Sequence, residues 1–206
     1  MKLWSEFFKK VSAFAPDIML PTVEAEAMQA SIDFFTESRC WRAEDVAIGT
    51  TVANQSAYTI TNPAGQDVVG FPAAWVDGKE ISEFRPGDKH EIGPEETGAV
   101  RGIRWVDGTH FELLPIPTES GLAITGSVAY APSDAATGLE DALFALHWRT
   151  IVHKICANLL MHNGRAYSNP QMATWHSGEY SRLALDAGSA AGARSRNPLR
   201  VKLSPV

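Results

Sequence analysis

The chain has 206 residues, 45% of them hydrophobic and 20% charged, the composition of a globular protein that can bury one substantial core or two small ones. Its apolar runs fall well short of the roughly 18 residues a membrane-spanning helix needs, and its mixed-charge opening lacks the apolar block of a secretory signal, so it is expected to be made in a cytoplasm and to have no membrane partner. The net charge of −6 divides into +4 after Gly192, from Arg194, Arg196, Arg200 and Lys202, and −10 before it; so acidic a body argues against groove-type binding of nucleic acid, which needs a basic face.

In chain order, residues 3–14 carry a short helical period in Leu3, Phe7, Val11 and Phe14, closed by Pro16. A helix of that length must dock on something, and the sequence does not say on what. After Pro21, residues 22–37 predict a longer helix: a threonine start, acids in the first turn, and a stripe of Val23, Ala27, Ala30, Phe34 and then Cys40 or Trp41. From about Val46 to Tyr130 glycine, proline and β-branched residues take over. Two copies of Trp-Val-Asp-Gly, at Trp75 to Gly78 and Trp105 to Gly108, place Asp-Gly between apolar stretches and predict two hairpins. Tyr58-Thr59-Ile60 and the alternating run from Leu122 to Tyr130 add strands, about six to eight in all, enough for a small sandwich or barrel.

The helical pattern returns at Leu139 and runs through Leu143, Leu146, Thr150, Val152, Ile155 and Leu159 to about Met161, where Asn163-Gly164 gives a stop. A further helix is expected from Asn169-Pro170, the asparagine as cap and the proline in the first turn, through Met172, Trp175, Tyr180, Leu183 and Ala187. The segment after Gly192 has two prolines and alternates charge with single apolar residues, so it is expected to be extended or disordered. The resulting expectation is an α+β fold. Residues 1–45 and 134–191 form a helical bundle, 46–133 an inserted small antiparallel β-sandwich or barrel, and 192–206 an extended C-terminal arm.

The chain carries few residue patterns of known chemistry. His176 and Glu179 share a helix face at a spacing found in metal sites, yet no further ligand repeats it, so a polar surface pair and no metal is the expectation. His147, His153 and His162 are spread around one helix instead of converging. No Gly-x-Ser-x-Gly elbow, His-Glu-x-x-His pair or phosphate loop occurs, so neither catalytic residues nor a cofactor are expected. Glu80, Glu83, Asp88, Glu91, Glu95 and Glu96 offer carboxylates of the kind that cleave glycosides in pairs, but most sit in a Gly/Pro-rich stretch where solvated charge is the better reading. Trp75 and Trp105 lead into turns and are read as core or cross-strand packing in preference to sugar stacking. Cys40 and Cys156 lie in apolar segments and are read as buried thiols, not a disulfide.

Residues 26–42, Glu-Ala-x-x-Ala-Ser-Ile-Asp-Phe-Phe-Thr-Glu-Ser-x-x-Trp-Arg after a proline, resemble the opening helix of the phage head-to-tail adaptor proteins, the group that includes the tail tubular protein A of short-tailed phages. The long helix, the turn Tyr167-Ser168-Asn169-Pro170 and the Tyr180-containing helix are similar to that family's last two helices. The resemblance implies a structural virion protein at the head-tail interface. Its copies would form a ring, commonly of twelve, that joins the capsid portal protein to tail, nozzle or neck proteins, with DNA passing through the channel without specific binding. It also implies that the arm holds the portal, here through Arg194, Arg196, Leu199, Arg200, Lys202 and Leu203. The alternatives are a carbohydrate-binding β module, motivated by Trp75 and Trp105, and an enzyme that uses the loop carboxylates.

Overall fold

The structure, a computed structural model, describes residues 1–84 and 95–195, with side chains as far as Ala193 in the last helix. In chain order the elements are β1 (Lys2–Leu3), a 3-10 turn (Trp4–Phe7), α1 (Phe8–Val11), α2 (Leu20–Ser38), β2 (Arg42–Thr50), β3 (Ala57–Thr59), β4 (Gln66–Val76) and β5 (Lys79–Phe84). There follow β6 (Thr97–Gly98), β7 (Gly102–Trp105), β8 (His110–Leu114), β9 (Ile116–Pro117), β10 (Ala123–Pro132), β11 (Gly138–Leu139), α3 (Asp141–Leu160) and α4 (Pro170–Ser195).

The fold is mixed α/β, and this corrects the expected helical bundle with a small inserted sandwich or barrel. Among the described residues seven strands form one curled sheet in the order β2-β10-β4-β5-β7-β8-β3. The sheet is not purely antiparallel, because β5 and β7 run parallel. A parallel pair cannot be closed by a tight hairpin, and the crossover occupies residues 85–101, of which 85–94 lie outside the described residues.

The physical reason for the correction is visible in β10, which is buried on both faces. Ile124, Val128 and Tyr130 join the core inside the sheet, together with Val68, Phe71, Ile103, Phe111 and Leu113. Ala129 and Ala131, in alternate positions, join the helical core with Val69 of β4, Phe34 and Phe35 of α2, and Ile151 and Ile155 of α3. The small alanine side chains let α2 lie close on the strand, so sheet and helices share a wall; Trp41 packs against both cores. Register shifts interrupt the pairing of β10 with β2 and with β4, and such bulges bend a strand.

Local chemistry explains the helices. α2 has Pro21 in its first turn and ends at Arg39, whose left-handed φ of 49° leaves its N–H donating to the Phe35 carbonyl at 2.9 Å. The predicted Asn169 cap is made, its Oδ1 accepting the Met172 N–H at 3.1 Å. α4 continues to Ser195, four residues into the stretch read as an arm.

The first hairpin turn, between β4 and β5, has φ of 50° at Asp77 and 73° at Gly78, the left-handed pair that Asp-Gly favours. The second, between β7 and β8, uses different chemistry: the Asp107 carboxylate accepts the Thr109 and His110 N–H groups. Those bonds and the His110 ring hold Asp107 well down, at about 2. The N-terminal segment finds its docking partner in the helical core. β1 pairs with β11, the Trp4 indole donates to the Ala136 carbonyl at 2.9 Å, and Phe7, Val11, Ala15 and Ile18 are buried. In place of the expected helix over residues 3–14 there is a short 3-10 turn followed by α1, which bury Trp4, Phe7 and Val11, while Leu3 and Phe14 of the predicted stripe are exposed.

Candidate functional site

α2, α3 and α4 lie side by side, tied by polar bonds that cross between them. Lys154 of α3 reaches Asp33 and Glu37 of α2 at 3.3 and 3.8 Å and lies over the Tyr180 ring of α4. The Tyr180 hydroxyl donates to Glu37 at 2.5 Å, and burial together with that carboxylate raises its pKa. The Asn158 amide donates to Glu26 at 3.2 Å.

Between these helices the surface is grooved. A cavity of about 830 Å³ opens among Glu26 of α2, Ala157 and Asn158 of α3, and the small residues Ala173, Ser177, Gly178 and Ser181 of α4. A second groove continues along α4 past Ala184, Leu185 and Gly188 to Glu37 and Ser38. A third lies toward the start of α3, where Leu143, Leu146 and His147 face Ala187, Ala190 and Ala191 of α4 and Cys40 to Arg42. Exposed apolar side chains line them, Met161 at 56%, Leu185 at 72% and Leu146 at 71%, and Trp175 of α4 is 52% exposed. The layer thus has concave, largely apolar faces on more than one side of α4.

Of the predicted portal-binding residues, Arg194 lies in the last turn of α4 and its side chain is outside the described residues. Arg196, Leu199, Arg200, Lys202 and Leu203 are outside them altogether, as are Asp88 and Glu91. Glu83 is not a loop carboxylate but half of a partly buried ion pair with Arg39, and Glu80, Glu95 and Glu96 are exposed. Trp105 stands across from Phe111 in the β7–β8 pair and Trp75 across from Glu80 and Thr125, both partly buried in the sheet.

His147, His153 and His162 do not converge on one another, and His153 instead meets His176 of α4. His147 lies against Phe34 and Phe35 with its Nε2 3.7 Å from the Cys40 sulfur. Burial raises the Cys40 thiol and lowers His147, both shifts favouring the neutral forms. His162 is exposed at the end of α3. The His176–Glu179 pair of the sequence is broken apart: His176 turns inward to His153 of α3, and Glu179 bonds Arg182 at 2.8 Å. Sequence reasoning missed this histidine contact, although His176 sits on the buried stripe of Ala173, Tyr180 and Ala184, a signal that was available. Among the described residues no group of three or more His, Cys, Asp or Glu could hold a metal ion, and no helix is long and apolar enough to cross a membrane.

No family model and no curated protein matches the chain.

Proposed function

We propose that the chain is a structural subunit of an adaptor ring that joins a phage capsid portal to the tail, located at the head-tail interface of the virion and without catalytic activity. The observation that carries this reading is the helical layer. The segments that bear the resemblance, α2 and the α3–α4 pair, lie together, and Leu146, Met161, Trp175 and Leu185 stay more than half exposed on it. A closed ring needs two different patches on each subunit, one for each neighbour. The groove beside Leu185 and the groove beside Leu146, on different sides of α4, fit that requirement.

In this reading the curled sheet faces tail, nozzle or neck components, and Arg194, Arg196, Leu199, Arg200, Lys202 and Leu203 bind the portal protein, where arginines can pair bidentately with surface carboxylates. An acidic body suits a channel wall along which DNA passes without sticking.

The test is electron microscopy with mass determination on mixtures of this protein and the portal protein encoded near it. It uses the full chain and a version ending after Ser195, which spares α4. Ring addition by the full chain that is lost on truncation supports both the adaptor reading and the role of the arm. A chain that stays free of the portal in both forms overturns the adaptor reading.

A further inference from the structure

His153 on α3 and His176 on α4 meet with their Nδ1 atoms 2.9 Å apart. His176 is fully buried, and its other nitrogen, Nε2, is buried without a hydrogen-bond partner. Trp175 stands edge-on to both rings, 4.8 Å from His176 and 5.4 Å from His153. Phe14, in the loop that leads from α1 to α2, covers His176 at 4.9 Å. Three parts of the chain, α3, α4 and the N-terminal segment, therefore converge on one pair of imidazoles.

Two imidazole nitrogens at this distance bond only if one carries a hydrogen and the other does not. One ring can take up an extra proton at its Nε2 and keep the shared bond. If both rings are protonated, N–H faces N–H across the contact and two positive charges adjoin. A hydrogen on His176 Nε2 finds no acceptor, so the doubly protonated pair also leaves a buried donor unpaired there.

We propose that the His153–His176 contact is an acid-released latch, holding α3, α4 and the Phe14 segment together while the rings share one hydrogen bond and freeing the start of α4 and that segment when both rings are protonated. This does not rest on the adaptor reading.

The surroundings support the direction. Burial is the main cause that lowers both histidines. Arg182 and Glu179 of α4 act on His153 in opposite senses, the guanidinium lowering it and the carboxylate raising it, and His153 further lowers His176. Arg149, one turn earlier on α3, lies over the Trp148 ring, and the N-terminal segment presents the uncharged Phe14. A histidine lowered in the folded state stabilises the closed form above its ordinary value near 6.5, and that stabilisation is lost as pH falls below it.

Hydrogen exchange on the full chain, corrected for intrinsic rates, tests the latch. Between about pH 7.5 and about pH 5, amides of residues 12–18 and 170–182 should lose protection by roughly tenfold per pH unit for each proton taken up, while the sheet core does not. His153→Gln, at the partly exposed ring, should flatten that dependence. Unchanged protection in the wild-type chain overturns the proposal, as does an equal pH dependence in the variant. Nitrogen-detected histidine titration of the wild type gives a second readout that needs no variant: two separated steps below the ordinary range support the latch, and two independent titrations near 6.5 overturn it.

Discussion

Arg39 stands just after α2, and its Nη1 donates to Glu83 of β5 at 2.5 Å, with both side chains only 14% exposed. The other Glu83 oxygen accepts the Phe71 N–H at 2.8 Å, so one carboxylate ties helix end, β4 and β5 together. Gly70 leaves room for this: a Cβ there would lie 2.5 Å from the Arg39 guanidinium carbon and 2.6 Å from Glu83. Glu83→Ala strands a guanidinium and a backbone donor in a partly buried site, and should cost about 3 kcal/mol in urea unfolding, whereas an exposed acid such as Glu80 changed to Ala should cost less than about 0.5 kcal/mol. The thiols give a second expectation at this scale. Cys156 is 1% exposed with its pKa pushed up to about 12 by burial, so in the native protein at neutral pH it should resist alkylation that labels it fully in denaturant. Native labelling of Cys156 at the denatured rate would contradict the described packing.

At the scale of elements, the N-terminal segment is held by shape as much as by area. Gly138 pairs with Leu3 across β1 and β11, and a Cβ on it would meet the Lys2 carbonyl oxygen at 2.1 Å, a backbone atom with no means of giving way. Gly138→Ala should therefore undock β1 and Trp4, costing about 1–3 kcal/mol and exposing the region around Lys9 and Lys10 to limited trypsin cleavage. The β4–β5 turn gives a smaller, cleaner effect: Gly78→Ala forces a side chain into φ of 73° with open space around it, so about 1 kcal/mol of backbone strain should appear in denaturation without loss of the fold. Helices were the most legible elements in the sequence, because proline, asparagine and the apolar stripes of α2 and α3 mark them locally. The sheet was legible strand by strand but not as an object. Alternation in Val128 to Ala131 looks like one buried face and one neutral face, and only the packed structure shows that Ala129 and Ala131 face a second core.

At the scale of the whole molecule, the exposed apolar faces on α3 and α4 set an expectation for assembly. If they are the two sides of a ring contact, Leu185→Glu and Leu146→Glu should each lower the native mass toward one subunit at concentrations where the parent chain assembles, without changing unfolding of the isolated chain by more than about 0.5 kcal/mol. Equal assembly by both variants would remove these faces from the interface. The described parts of the candidate surface were only partly legible in advance. Leu146, Trp175 and Leu185 sit in segments recognised as helical, but which faces stay open depends on how α2, α3 and α4 splay, and that is set by long-range contacts such as Lys154 with Asp33 and Glu37.

The sequence by itself determined the positions of α2, α3 and the start of α4, the Asp77-Gly78 turn and the division of charge, since each depends on residues close together in the chain. The tertiary structure decided the rest: the seven-stranded curled sheet in place of a separate sandwich, the parallel β5–β7 pair, the docking of residues 1–18, the Arg39–Glu83 pair and the meeting of His153 with His176. All of these join segments far apart in sequence, and the free energy that selects them comes from burial of both faces of β10 and from pairing polar groups that no local pattern records.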